Sequence, residues 1–150
     1  MAGPQQFSTS GPAHAARPKR RFTLELANRS LPLVKRIVAD IVRTHADAAK
    51  ARQDIERQPL GGGANKGHRV QDAQTRLDAS LSRLEDYLDE LNEVGCELKD
   101  FQLGLIDFVG RHQGRDVYLC WKLGEEKIAH WHELDAGYAG RQPVSKLREE

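Results

Sequence analysis

Cysteine occurs twice in 150 residues, methionine once, and aromatic residues make up only 6%. Cys96 and Cys120 form no CxxC pair, so neither a disulfide framework nor a cysteine-built zinc site is expected, and a reducing cytoplasm is the default compartment. A surplus of charge of either sign is lacking too: 23 Lys and Arg stand against 22 Asp and Glu, a formal net charge of +1. That removes the basic footprint of a nucleic-acid-binding domain, so no nucleic acid is expected as a partner. No apolar run approaches the roughly 20 residues that span a bilayer, so no membrane is expected either. The N-terminus lacks the apolar stretch of a secretory signal. What the chain has is surface, with 30% charged residues against 39% apolar, in a length that suits one domain.

Residues 1–20 are rich in Gly, Pro, Ser, Gln and Ala and end in a basic run through Arg17, Lys19, Arg20 and Arg21. Such a composition buries too little to offset its ordering entropy, so a disordered basic tail is expected. Residues 21–143 are expected to form a single domain, and 144–150 a C-terminal tail. A helix is predicted over about 23–57, with Thr23 as N-cap, Phe22 as staple and Glu25 in the first turn. Its apolar positions alternate by three and four through Leu24, Ala27, Leu31, Val34, Val38, Ile41, His45, Ala48, Arg52 and Ile55, a heptad seam. Pro32 is expected to kink or restart it. A second stripe, Leu26, Leu33 and Ile37, lies beside the seam in the first half. Pro59 and Gly61–Gly63 end the helix in a flexible linker; Lys66 precedes Gly67, so the loop lacks the phosphate-binding order GxxxxGK[ST].

A second helix is predicted over 69–94, with Val70, Leu77, Leu84 and Leu91 seven apart, Ala73, Ser80, Tyr87 and Val94 between them, and Gly95 as a stop. Two long helices joined by a short loop pack antiparallel, which places Glu85, Asp86, Asp89, Glu90 and Glu93 near Lys35, Arg36 and Arg43. No ExxH accompanies these acids, so a helical di-iron site is not indicated. After Gly95 the period changes to that of strands. Val117–Leu123 and Lys127–Leu134 flank a Gly124-Glu125-Glu126 turn, with Cys96–Lys99 and Leu105–Val109 as weaker candidates and a turn over Arg111–Arg115. The expected fold is α+β: a long antiparallel helical hairpin with a small antiparallel β-meander, about residues 96–134, packed on one end. The meander should cover the Leu26, Leu33, Ile37 stripe. A homodimer through the helices would cover the remaining apolar width.

The segment His130-Trp131-His132-Glu133 is the candidate site. In a strand His130 and His132 share a face. A two-residue turn at Gly124-Glu125 or Glu125-Glu126 sets that face with Val117, Leu119, Trp121 and Leu123, toward the helices; a three-residue turn reverses it. Two such histidines can chelate one ion, zinc or iron by ligand type, with Glu133 completing the set if the strand ends or bulges there. Asp107 and Asp135 are candidates for a third ligand or a supporting contact, and Glu25 and Cys120 are further possibilities, although the two-residue turn sets Cys120 and His130 on opposite faces. His45 sits too far along its helix to join them. HExxH is ruled out, because position 136 is Ala136. The competing reading makes both histidines structural, each hydrogen-bonded to backbone or a carboxylate. The glycine-rich segment 134–143 offers Arg141 as an anion contact, or else closes the sheet as a cap.

Phe22-Thr23-Leu24-Glu25, Asn28, Leu31-Pro32-Leu33-Val34, Gly95, Glu97, Lys99, Gly104–Phe108, Leu119–Glu125 and Ala129–Pro143 together resemble an uncharacterised bacterial family, domain of unknown function family 2203, over about residues 22–143. The resemblance implies no activity, substrate or cofactor, and carries no catalytic assignment. Two readings of function therefore stand. One is a cytoplasmic protein binding a divalent transition metal; the other is a non-catalytic interaction or scaffold module using the helical hairpin. Loss of stability on chelation separates them.

Overall fold

The computed structural model describes residues 20–57 and 66–150; the expected basic tail up to residue 19 and the Gly61–Gly63 linker lie outside the described residues. Helix α1 runs Leu24–Glu56. Thr23 caps it with an extended backbone and a side-chain oxygen that accepts from the Leu26 N–H at 3.1 Å. Glu25, at the positive end of the helix, pairs with Arg29 at 2.9 Å. Pro32 does not restart the helix, which continues through it. It removes one donor only, the one that would have bonded the Asn28 carbonyl a turn back. The Asn28 side chain anchors this turn to the sheet by accepting from the Ile128 N–H at 2.8 Å.

The seam of α1 is buried at Ala27, Leu31, Val34, Val38 and Ile41, then continues through Thr44, Ala48 and Ala51 in place of His45 and Arg52. These small residues suit close approach of the second helix, α2, Lys66–Val94, at Ala73 and Leu77. Ser80, Leu84 and Leu91 continue the α2 seam. An Arg76–Asp54 ion pair of 3.1 Å joins the end of α1 to the start of α2, as an antiparallel hairpin requires. Two of the expected basic partners of the acids on α2 are engaged elsewhere: Arg43 with Asp40 of its own helix, Lys35 with the Glu126 carbonyl. Gly95 closes α2 at φ +109, where a Cβ would press on the Phe22 ring.

Five strands follow: β1 Cys96–Asp100, β2 Leu105–His112, β3 Arg115–Lys122, β4 His130–Glu133 and β5 Gln142–Pro143. They form one antiparallel sheet in chain order. Gln113 and Gly114, both at positive φ, make the two-residue turn between β2 and β3, whose backbone twist matches that of the flanking strands. One face of the sheet packs on the helices through Cys96, Ile106, Phe108, Val117, Leu119, Trp121 and Trp131, against Phe22, Leu31, Val34, Val38, Ile41 and Leu91. Gly104, at φ +66, lets the β1–β2 turn lie on α1; a Cβ there would come within 2.9 Å of Val38.

Three expectations are corrected. The meander lies on the seam side of α1, so of the second stripe only Ile37 is buried, while Leu26 and Leu33 are exposed. The sheet also reaches further along the helix than expected, since His45 stacks on Phe101 at 5.0 Å. Residues 144–150 do not trail away. Leu147 enters the core, the Gln113 and Gly114 N–H groups donate to the Arg148 and Glu150 carbonyls at 2.7 and 2.6 Å, and Glu149 accepts from the Leu24 N–H at 2.6 Å. One leucine in a charged stretch is enough to anchor it, and the β2–β3 turn supplies donors that need acceptors. Among the described residues no helix is long and apolar enough to cross a membrane.

Candidate functional site

The connection from β3 to β4 occupies residues 123–129, longer than the two-residue turn expected, and this sets the phase of β4. Trp121 Nε1–H donates to the Glu125 carbonyl at 3.0 Å, and the Lys122 N–H donates to Glu125 Oε1 at 2.7 Å, so the loop is folded on itself. Cys120 then pairs with His130 and Tyr118 with His132. The two histidines share a face as expected, but it is the outer face, away from the helices. Trp131 and Glu133 take the inner side. The same register sets Cys120 and His130 directly opposite each other, where the short turn would have separated them.

Across the outer face, Glu97 of β1 opposes Asp107 of β2, Asp107 opposes Cys120 of β3, and Cys120 opposes His130 of β4. His132, two positions along β4, reaches back over β3 so that its Nε2 lies 3.1 and 3.2 Å from the two Asp107 oxygens. Asp107, Cys120 and His132 are all buried, and one ligand atom from each lies within 4.8 Å of the others. Few polar groups are buried without a reason, and here three lie together.

Hydrogen bonding constrains the imidazole. His132 Nδ1 lies 2.7 Å from the Glu133 carbonyl oxygen, which can only accept, so Nδ1 carries a proton. In a neutral ring Nε2 is then a lone pair, and it faces a carboxylate, a second acceptor. Two acceptors at 3.1 Å need something positive between or beside them, either a proton or a cation. Burial pushes the Asp107 carboxyl up from its ordinary value, with His132 the largest opposing influence. Burial also pushes the Cys120 thiol up to about 12, with the Asp107 charge adding to it. Asp107 lies opposite Cys120 across the β2–β3 pair and meets His132 Nε2, so the carboxylate, not the thiol, is the imidazole's partner. A cysteine nucleophile needs the opposite order, a depressed thiol paired directly with the imidazole. The arrangement suits cation binding better than attack on a substrate.

The remaining candidates are dispersed. Glu133 points its carboxylate to the inner side, where Arg115 Nε donates to both oxygens at 3.1 and 3.2 Å; it serves the cluster through its backbone carbonyl instead. Asp135 is exposed in the turn after β4, and Glu25 is engaged with Arg29 on α1. Arg141 Nη2 meets Glu125 at 2.8 and 2.9 Å beneath the Tyr138 ring, so the anion held there is an internal carboxylate. Lys99 lies over Tyr118 and pairs with Glu97 at 2.8 Å, edging the cluster on the β1 side. Cys120 is the residue whose place was missed. The signal was Gln113-Gly114: a two-residue turn there pairs His112 with Arg115 and, counting back, Asp107 with Cys120.

A family model described as an uncharacterised conserved protein, DUF2203, matches residues 20–144, and the chain belongs to that family. No curated protein matches the chain, and no solved structure does.

Proposed function

We propose that this DUF2203 chain binds a divalent transition metal through Asp107, Cys120 and His132. The observation that supports it most is the facing of two acceptors, His132 Nε2 and the Asp107 carboxylate, beside a buried thiol. A ligand histidine whose other nitrogen donates to a backbone carbonyl is the usual arrangement around a metal, because the carbonyl fixes the tautomer and aims the lone pair. Zinc in a tetrahedral site would set the N, O and S atoms about 3.4–3.6 Å apart, from bond lengths of about 2.0–2.3 Å. The three donor atoms, all within 4.8 Å, need only small shifts to meet that spacing. A set of thiolate, imidazole and carboxylate favours zinc over the harder divalent ions, with iron as the next candidate.

Binding would expel the Cys120 proton, since the free thiol is neutral near pH 7. Affinity would therefore rise with pH. The test is metal content per chain by mass spectrometry on untagged protein, beside Asp107→Asn, Cys120→Ser and His132→Ala. Near-stoichiometric zinc or iron in the parent, lost in the variants, supports the reading. A metal-free parent whose stability is indifferent to chelator overturns it, and leaves the cluster as a buried polar network within an interaction module.

A further inference from the structure

We infer that His130 is a fourth ligand at this centre and closes it; the inference rests on the metal-binding reading above. Three protein donors leave one tetrahedral position, and what fills it decides between an open, reactive centre and a closed, structural one. His130 is the cross-strand partner of Cys120 and lies two residues from His132 on the same outer face. Side chains directly opposite in an antiparallel pair have Cβ atoms about 4.5–5.5 Å apart, within reach of an imidazole.

The His130 ring is also poorly engaged where it stands. Its Nδ1 is buried without a hydrogen-bond partner, and Glu125 Oε2 is 3.8 Å away, beyond hydrogen-bonding distance. Glu125 makes its hydrogen bonds to Arg141 and to the Lys122 N–H, and its contact with His130 is an ion pair only if the imidazole is protonated. The ring is partly exposed, 37%, and stands outside the three-residue cluster, so ligation requires it to turn about its side-chain torsions toward Cys120. Charge balance points the same way. One thiolate and one carboxylate neutralise a divalent ion, so the remaining two ligands are best neutral, and two imidazoles supply them. The completed set, Asp107, Cys120, His130 and His132, ties β2, β3 and β4 together at one point and leaves no position for a reacting water.

The test is a titration of the metal-free full chain with cobalt(II) alone, followed in the visible and near-ultraviolet, on the parent, His130→Ala and His130→Gln. The parent should show the strong visible bands of four-coordinate cobalt together with a thiolate charge-transfer band. Both variants should keep the charge-transfer band, shift the visible bands as a water takes the place of the imidazole, and bind zinc(II) about tenfold or more weakly, since even residues that only orient ligands cost that much. Unchanged thermal unfolding of the metal-free variants confirms that folding is not the cause. A parent that binds cobalt, with variants identical in spectrum and zinc affinity, overturns the fourth ligand and leaves the three-residue site intact. A parent that binds no cobalt overturns both.

Discussion

Asp107 and His132 come from strands that are not neighbours, β2 and β4, and meet at 3.1 Å beside Cys120 of the strand between them. Their contact is buried and sets the Nε2 lone pair of a neutral ring against a carboxylate, so the two residues are not equivalent to mutation. His132→Ala leaves a carboxyl group in the sheet without its partner and should cost the metal-free protein about 3–5 kcal/mol. Asp107→Asn replaces one acceptor by an amide that donates to the Nε2 lone pair, and should cost about 1 kcal/mol. Urea unfolding in the presence of chelator compares them, and equal losses would contradict the tautomer assigned to His132.

The cysteines give a second check. Cys96 lies on the inner face and Cys120 on the outer, both buried, and burial pushes each thiol up to about 12. Thiolate is the reactive species, so neither should react with a disulfide reagent in the native, metal-free protein at pH 8, while both titrate at once in denaturant. A thiol that labels rapidly under native conditions would mean that its side of the sheet opens without global unfolding.

The helices and the existence of a meander were legible because their signals are local: Thr23 as a cap, the three-four spacing of α1 and α2, Gly95 as a stop. So was the sharing of a face by His130 and His132, which follows from strand periodicity alone. What could not be read was which face. That depends on the parity of a loop, and one extra residue between Lys122 and His130 moves every side chain of β4 to the other side. The Trp121 and Lys122 contacts to Glu125 that shape this loop involve no regular pattern. Phasing β2 against β3 through Gln113-Gly114 would have brought Asp107 and Cys120 together, but the reach of His132 over β3 depends on rotamers, which leave no trace in spacing. The C-terminal anchor was hidden for a similar reason, since Leu147 stands alone among Lys146, Arg148 and Glu149.

Asn28 offers a test of how the helix holds the β3–β4 loop. Its side-chain oxygen accepts from the Ile128 N–H at 2.8 Å, and Ile128 is buried in the core. Asn28→Ala leaves that N–H without an acceptor and should cost about 1–3 kcal/mol. Asn28→Asp keeps an acceptor and should cost less. If the loop sets the phase of β4, Asn28→Ala should also weaken metal binding more than its stability loss alone explains, read by zinc competition at a temperature where both variants are folded.

Acid should uncouple the two straps that clasp the edges of β3. Asp116 pairs with Arg21 at 3.0 Å, and Glu133 with Arg115, and in each case the guanidinium hydrogen bond holds the carboxyl below its ordinary value of 3.8 or 4.5. A carboxyl lowered in the folded state binds its proton more weakly there than in the unfolded chain. Its contribution is therefore complete above the ordinary value and disappears as pH falls through the lowered one. Asp116→Asn and Glu133→Gln should each be less stable than the parent at pH 7, by a small amount because both pairs face solvent. The difference should shrink below about pH 4, where protonation of the parent has the same effect as the substitution. Urea midpoints at pH 7 and pH 3 measure it. A gap that persists undiminished at pH 3 would mean that the variants act through packing and not through the ion pairs.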